Sequence, residues 1–169
     1  MSQLQGKVAI VTGGGSGFGE GIVKLYAKEG AKVVIADINK EAADRVAGEV
    51  GAAALAVKAD VSSRADIDNV VRVCLEQFGS VDIVVNNAAI THKNQPMLDV
   101  DEATFDRMFA INVKSIYHMA QAVVPVMRTP PSRRRRALPS SCALRRPDRV
   151  HAPAHARSAR SARAARSAR

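Results

Sequence analysis

Tryptophan is absent from this 169-residue chain, and the aromatic share is only 4%, carried by four phenylalanines and two tyrosines. All six lie before Met127. The last 42 residues hold no aromatic side chain and no lysine, and their 13 arginines against the single acid Asp148 give a formal charge of +12. Such a segment buries too little apolar surface to offset the entropy of ordering it, so it is expected to be disordered by itself. The first 127 residues carry 12 basic side chains against 15 acidic ones, a formal charge of −3. The overall +9 averages two unlike segments and describes neither.

Cysteine is nearly missing too. Cys74 and Cys142 form neither a pair motif nor a metal signature, which excludes a disulfide framework. Cys74 sits in a helical pattern and reads as a small core residue. No uninterrupted apolar run approaches the ~20 residues needed to cross a bilayer, and no apolar leader opens the chain. A soluble, cytoplasmic protein is expected. His92 and His118 have no Cys or carboxylate at ligand spacing, so no metal site is expected. His92 reads as an ordinary loop residue, with a place at a substrate mouth as the alternative.

What the chain has in abundance is glycine near its start. Thr12-Gly13-Gly14-Gly15-Ser16-Gly17-Phe18-Gly19 follows the apolar run Val8 to Val11 and opens a helical pattern. Glycines let a backbone turn tightly and approach a phosphate, while the free N–H groups of a helix start face negative charge. That combination suits a dinucleotide pyrophosphate. The glycine spacing differs from G-x-G-x-x-G, so context decides its meaning.

The context is a repeating strand and helix pattern. Strands are expected at 7–12, 31–37, 53–59 and 81–85, with helices at 17–28, 40–50 and from Ser62 or Ser63 to about Phe78. The strands are continuous apolar runs, as when both faces of a parallel sheet are covered. After a loop through Pro96, one long helix of roughly 25 residues is expected to run to Met127, disturbed near its end by Pro125. Its start is capped by Asp99 in a box with Glu102, or by Asp101. The order β-α-β-α-β-α-β-loop-α is the first half of a Rossmann-like, doubly wound α/β parallel sheet. Residues 1–127 form the expected nucleotide-binding half domain and 128–169 the tail.

Three groups fall at the carboxyl edge of such a sheet, where ligands bind. Asp37 ends the second strand 18 residues after Gly19, where a carboxylate accepts bonds from the adenosine ribose hydroxyls. It would repel a 2′-phosphate, which favours NAD over NADP. Asp60 ends the third strand, either as an adenine contact or as a helix-start carboxylate. Asn87 follows the fourth, as a cofactor-side group or as a tie between loops. Asn86 reads as a brace for the sheet end.

From Gly6 to about Met127 the chain resembles the short-chain dehydrogenase/reductase family. TGGGSGFG at Thr12 to Gly19 matches its glycine motif, Asp37 its NAD-type acid, and Asp60-Val61 its adenine-contact pair. Its N-N-A-G appears as Asn86-Asn87-Ala88-Ala89, where Ala89 adds a methyl group that would crowd the backbone if the position required positive φ. Asn112, within Ile111-Asn112-Val113, matches the helix asparagine that holds a water and a backbone kink. The resemblance implies cofactor contacts from Gly13, Gly15, Ser16, Gly17, Phe18, Gly19, Asp37, Ile38, Asp60, Val61, Asn87, Ala88 and Ala89, and a catalytic role for Asn112. It also implies hydride transfer between NAD and a small alcohol or ketone; that no membrane is involved is expected from the lack of a long apolar run.

The family's orienting Ser and its Tyr-x-x-x-Lys pair do not follow. Tyrosine needs a cation beside it to act near neutral pH, yet Tyr26 and Tyr117 have Gly30 and Gln121 four residues on, and no lysine follows Lys114. Both tyrosines read as helix packing residues. Ser140 and Ser141 have no strand before them. The chain is therefore expected to be an incomplete, inactive copy, with a non-catalytic NAD or adenosine binder as the alternative. Family contacts that make a homo-oligomer include a later helix not found here, which leaves assembly open.

Two readings of the tail remain. Arg133 to Arg136, and Arg157, Arg160, Arg163, Arg166 and Arg169 at every third position, would neutralise phosphates in a nucleic-acid tail. Arg, Ala, Pro and Ser also dominate GC-rich coding DNA read out of phase, and the change is abrupt where a fifth strand should begin. The second reading is preferred. Translating the coding DNA in the other two frames is expected to yield a strand, a Ser and a Tyr-x-x-x-Lys; neither frame doing so would leave the basic tail as the reading.

Overall fold

The computed structural model describes residues 2–129. The expected tail, with Cys142, Ser140, Ser141 and the arginine series, lies outside the described residues apart from Arg128 and Thr129. The elements are β1 (Val8–Thr12), α1 (Gly17–Lys28), β2 (Lys32–Asp37), α2 (Lys40–Val50), β3 (Ala54–Lys58), α3 (Arg64–Phe78), β4 (Ile83–Val85), α4 (Glu102–Phe109) and α5 (Ser115–Arg128). A π-helical turn, Ala110–Lys114, joins the last two.

The four strands form one parallel sheet in the order β3-β2-β1-β4. The chain builds outward from β1 through β2 to β3, then crosses back to lay β4 on the other side of β1. That reversal opens a crevice at the carboxyl ends of β1 and β4. Alternation along the strands sends Val8, Ile10, Val34, Ala36 and Val57 to one face, where Ile67, Val70 and Cys74 of α3 and Met119 and Val123 of α5 cover them. Ala9, Val11, Val33 and Ile35 go to the other, under Val23 of α1 and Ala43 and Val46 of α2. Both faces are dry, which is why the strands read as unbroken apolar runs. Each fully buried Val or Ile contributes about 1.5–3 kcal/mol.

Short polar signals set the helix ends. Asn39 accepts from Ala42 N–H at the start of α2, and Ser63 from Asp66 N–H at the start of α3, each worth about 1 kcal/mol. Asp101, not Asp99, caps α4 by accepting from Thr104 N–H at 2.7 Å. Gly79 closes α3 in the left-handed conformation. Cys74 is buried as expected, and burial pushes its thiol up to about 12.

Three expectations are corrected. The fourth strand is shorter than 81–85, because Asp82 meets β1 partly through its side chain: Val8 N–H donates to Asp82 Oδ2 at 2.9 Å. The expected long helix runs unbroken through α4, the π-helical turn and α5, but that turn inserts an extra residue and rotates everything after it. The inward stripe consequently becomes Ile111, Ser115, Met119 and Val123, while Phe105, Phe109, Val113, Ile116 and Val124 lie at the surface. Tyr117, expected to pack, is 59% exposed for the same reason, whereas Tyr26 packs as expected. Pro125 lies inside α5, which continues to Arg128. The helix tolerates it on the exposed side, where the carbonyl left without a donor can meet water.

Among the described residues β4 pairs with β1 alone, and its other edge has no strand. An open parallel edge beside an exposed apolar helix face favours association. Sedimentation velocity is therefore expected to show apparent mass rising with protein concentration; a sharp, cooperatively melting monomer across the range would contradict this.

Candidate cofactor site

At the crevice the end of β1 is fastened to the end of β4 through Thr12. Its hydroxyl donates to Val85 O at 3.3 Å and accepts from Asn87 N–H at 3.0 Å and Ala88 N–H at 3.1 Å. The Asn87 amide nitrogen returns the tie, donating to Thr12 O at 3.0 Å and Gly13 O at 3.2 Å. Of its two sequence readings, Asn87 thus fulfils the tie between loops. Asn86, expected to brace the sheet end, is exposed, and that bracing is done by Asn87 one residue on.

Two glycines cannot be replaced in this arrangement. Gly13 has φ +64°, and a Cβ there would stand 3.0 Å from both Ala88 Cα and Asn87 Nδ2. At Gly19 a Cβ would fall 2.0 Å from Gly13 O. The first turn of α1 is pressed against the loop that precedes it. Ala89 escapes the strain its methyl group raised as a possibility, since every described residue with positive φ is a glycine.

Asp37 is held from two sides. Gly15 N–H donates to its Oδ2 and Asn39 N–H to its Oδ1, both at 2.9 Å. A carboxylate has roughly four acceptor positions, so capacity remains for a diol. Asp60 accepts at Oδ1 from Ser62 N–H at 2.9 Å and Ser62 Oγ at 2.7 Å. These bonds hold its carboxyl below the usual range, aided by the charge of Arg107. Asp60 therefore serves the turn before α3 while also facing the crevice. Asn112, in the π-helical turn, clasps the loop after β4: Ile90 N–H donates to its Oδ1 at 2.9 Å, and its Nδ2 donates to Ile90 O at 2.8 Å.

A cavity of about 400 Å³ occupies the crevice. Gly13, Ser16 and Phe18 line it from the glycine loop, Asp37 and Ile38 from β2, Asp60 and Val61 from beyond β3, and Asn87, Ala88 and Ala89 from beyond β4. Gly15, Gly17, Gly19 and Asn112 shape its surroundings without lining it. Sequence reasoning missed Ala36, Ala59, Ile90, Arg107 and Ile111. Ala36 and Ala59 were legible as small residues preceding the two strand-end acids; Arg107 carried no signal. A second hollow of about 530 Å³, lined by His92, Lys93 and Asp101 among others, shares Ile90 and Arg107 with the first.

Parallel strands joined through helices, a glycine loop after β1 and an acid at the end of β2 define a Rossmann-like α/β domain. The family model for short chain dehydrogenase matches residues 7–136. Sorbitol dehydrogenase of Cereibacter sphaeroides is 45% identical over 125 residues, covering 74% of this chain and 48% of that protein. Galactitol 2-dehydrogenase of Agrobacterium fabrum is 46% identical, with the same coverages. Among solved structures, 3-ketoacyl-(acyl-carrier-protein) reductase from Brucella melitensis complexed with NADH superposes with TM-score 0.72 at 54% identity, covering 73% of this chain and 51% of that one. The chain belongs to the short-chain dehydrogenase family. It spans about half the length of the relatives it matches.

Gly19→Ala is expected to destabilise the fold by about 1–3 kcal/mol or more, because a backbone carbonyl cannot yield as a side chain can. Urea unfolding measures this, with Gly21→Ala, where a Cβ meets nothing within 4 Å and Ala should stabilise the helix by about 0.5–1 kcal/mol, as the contrasting control.

Proposed function

We propose that this chain binds NAD, as the cofactor-holding half of a short-chain dehydrogenase, and does not turn over substrate by itself. The observation that carries the reading is the convergence of the glycine loop, Asp37, Asp60-Val61 and Asn87-Ala88-Ala89 on one cavity at the strand reversal. The residues fit the group: the glycines let the loop turn tightly against the start of α1, whose free N–H groups suit a pyrophosphate. Asp37 keeps acceptor capacity for the adenosine ribose hydroxyls and presents negative charge against a 2′-phosphate. Asp60 and Val61 would flank the adenine, with Ile38 and the 91%-exposed Phe18 at the rim of the cavity. Asn87 to Ala89 would contact the nicotinamide ribose, and Asn112 braces the loop after them through Ile90.

Bound NAD would supply a hydride acceptor. Hydride exchange with a small alcohol or ketone also needs a proton donor and acceptor, and this sequence offers no Ser with Tyr-x-x-x-Lys to provide it. The named sugar-alcohol relatives support that substrate class for the family fold. The nucleic-acid reading of the tail gains no support from the described residues.

Calorimetry on the full chain is expected to show saturable NAD uptake with NADP at least about tenfold weaker, a difference of ~1.4 kcal/mol. Asp37→Asn should narrow or reverse that preference, with alcohol oxidation undetectable throughout. No saturable NAD uptake by the folded parent, with none gained for NADP in Asp37→Asn, would overturn the assignment.

A further inference from the structure

An ion-pair group on the outer side of α1 and α2 reaches the glycine loop. Arg45, on α2, donates through Nη1 and Nη2 to Glu20 of α1 at 3.1 and 2.7 Å, and through Nη1 to Glu49 at 2.8 Å. Lys24 bridges the same two acids at 2.6 and 2.7 Å. These bonds hold the Glu20 carboxyl down at about 2. Taken alone, this would be an ordinary solvated network. One bond leaves it: Arg45 Nη2 also donates to Gly15 O at 3.1 Å, in a part-buried position 30 residues away in sequence.

That carbonyl belongs to the Gly15–Ser16 peptide. The peptide is planar and trans, so a C=O turned toward Arg45 turns the Ser16 N–H the opposite way. Ser16 lines the cavity. Hydrogen bonding to the carbonyl also polarises the peptide and strengthens its N–H as a donor. On the other side of the same residue, Gly15 N–H holds Asp37 Oδ2 at 2.9 Å. Gly15 is thus gripped by Arg45 at its carbonyl and by Asp37 at its amide, and the residues on either side of these grips, Ser16 and Asp37, both line the cavity.

We infer that Arg45 is a positioning residue for cofactor binding, acting through the Gly15–Ser16 peptide. It presents the Ser16 N–H to anionic or hydroxyl oxygens of a dinucleotide and steadies Asp37 for the ribose diol. The inference rests on the NAD reading for its ligand, whereas the control of the loop by Arg45 can be measured without one. A planar fork is needed, because one guanidinium serves both Gly15 and Glu20.

The test compares the full chain with Arg45→Ala, Arg45→Lys and Lys24→Ala, by calorimetry with NAD and by amide hydrogen exchange of the glycine loop without cofactor. Arg45→Ala is expected to weaken NAD about tenfold and to speed exchange at the Gly15 and Ser16 amides, as loss of a bond to a charged donor should. Arg45→Lys keeps the charge but loses the fork, and should fall between parent and Arg45→Ala; it also serves if Arg45→Ala fails to fold. Lys24→Ala removes ion pairs from the same acids while sparing Gly15, and should stay within about twofold of the parent. Unchanged affinity and exchange in both Arg45 variants, or an equal loss in Lys24→Ala, would overturn the inference. If the parent takes up no NAD, the cofactor reading falls, and loop exchange alone decides the role of Arg45.

Discussion

The tie between the ends of β1 and β4 is the constraint on which this site depends. Thr12 lies at 2% exposure in an otherwise apolar strand, and a buried hydroxyl must find partners. Its donor and acceptor bonds go to Val85, Asn87 and Ala88, across the point where the sheet order reverses. Without them the two strands would be related only by their ladder bonds, and the crevice between them would have no fixed width. The glycine loop, the β4 loop and the π-helical turn then follow in sequence, each bound to the one before: Gly13 to Asn87, and Ile90 to Asn112.

Much of this was legible from the residues. Continuous apolar runs of five or six residues, separated by helical patterns, give a parallel sheet almost by necessity, since both faces of such strands must be covered. The order of the strands and the gathering of Asp37, Asp60 and Asn87 at one edge follow from the same pattern. Ser62 and Ser63 mark the start of α3 by side-chain chemistry, and the structure gives the cap to Ser63. Chemistry that acts between neighbours in sequence leaves a mark in sequence.

What stayed hidden depends on geometry across the chain. The π-helical turn has no compositional signature in Ala110–Lys114, so the stripe of apolar residues from Phe105 to Met127 reads as one face when it is two. Tyr117 was misplaced for that reason. Asn86 and Asn87 are chemically identical neighbours, and only the direction in which each side chain leaves the backbone decides which one ties the loops. Arg45 looks like half of a routine pair with Glu49, four residues on. Its bonds to Glu20 and Gly15 exist only because α2 packs beside α1 and the loop before it.

The contacts that shape the glycine loop are all internal to the chain. Gly19 sits against Gly13, Gly13 against Ala88, and Gly15 between Asp37 and Arg45, before any ligand enters. An arriving molecule therefore meets a receptor whose conformational freedom was surrendered during folding rather than at the moment of encounter. Recognition at this loop becomes a property of the folded chain's own rigidity, and any relaxation of that rigidity would be felt as weaker association even where every contacting atom is retained.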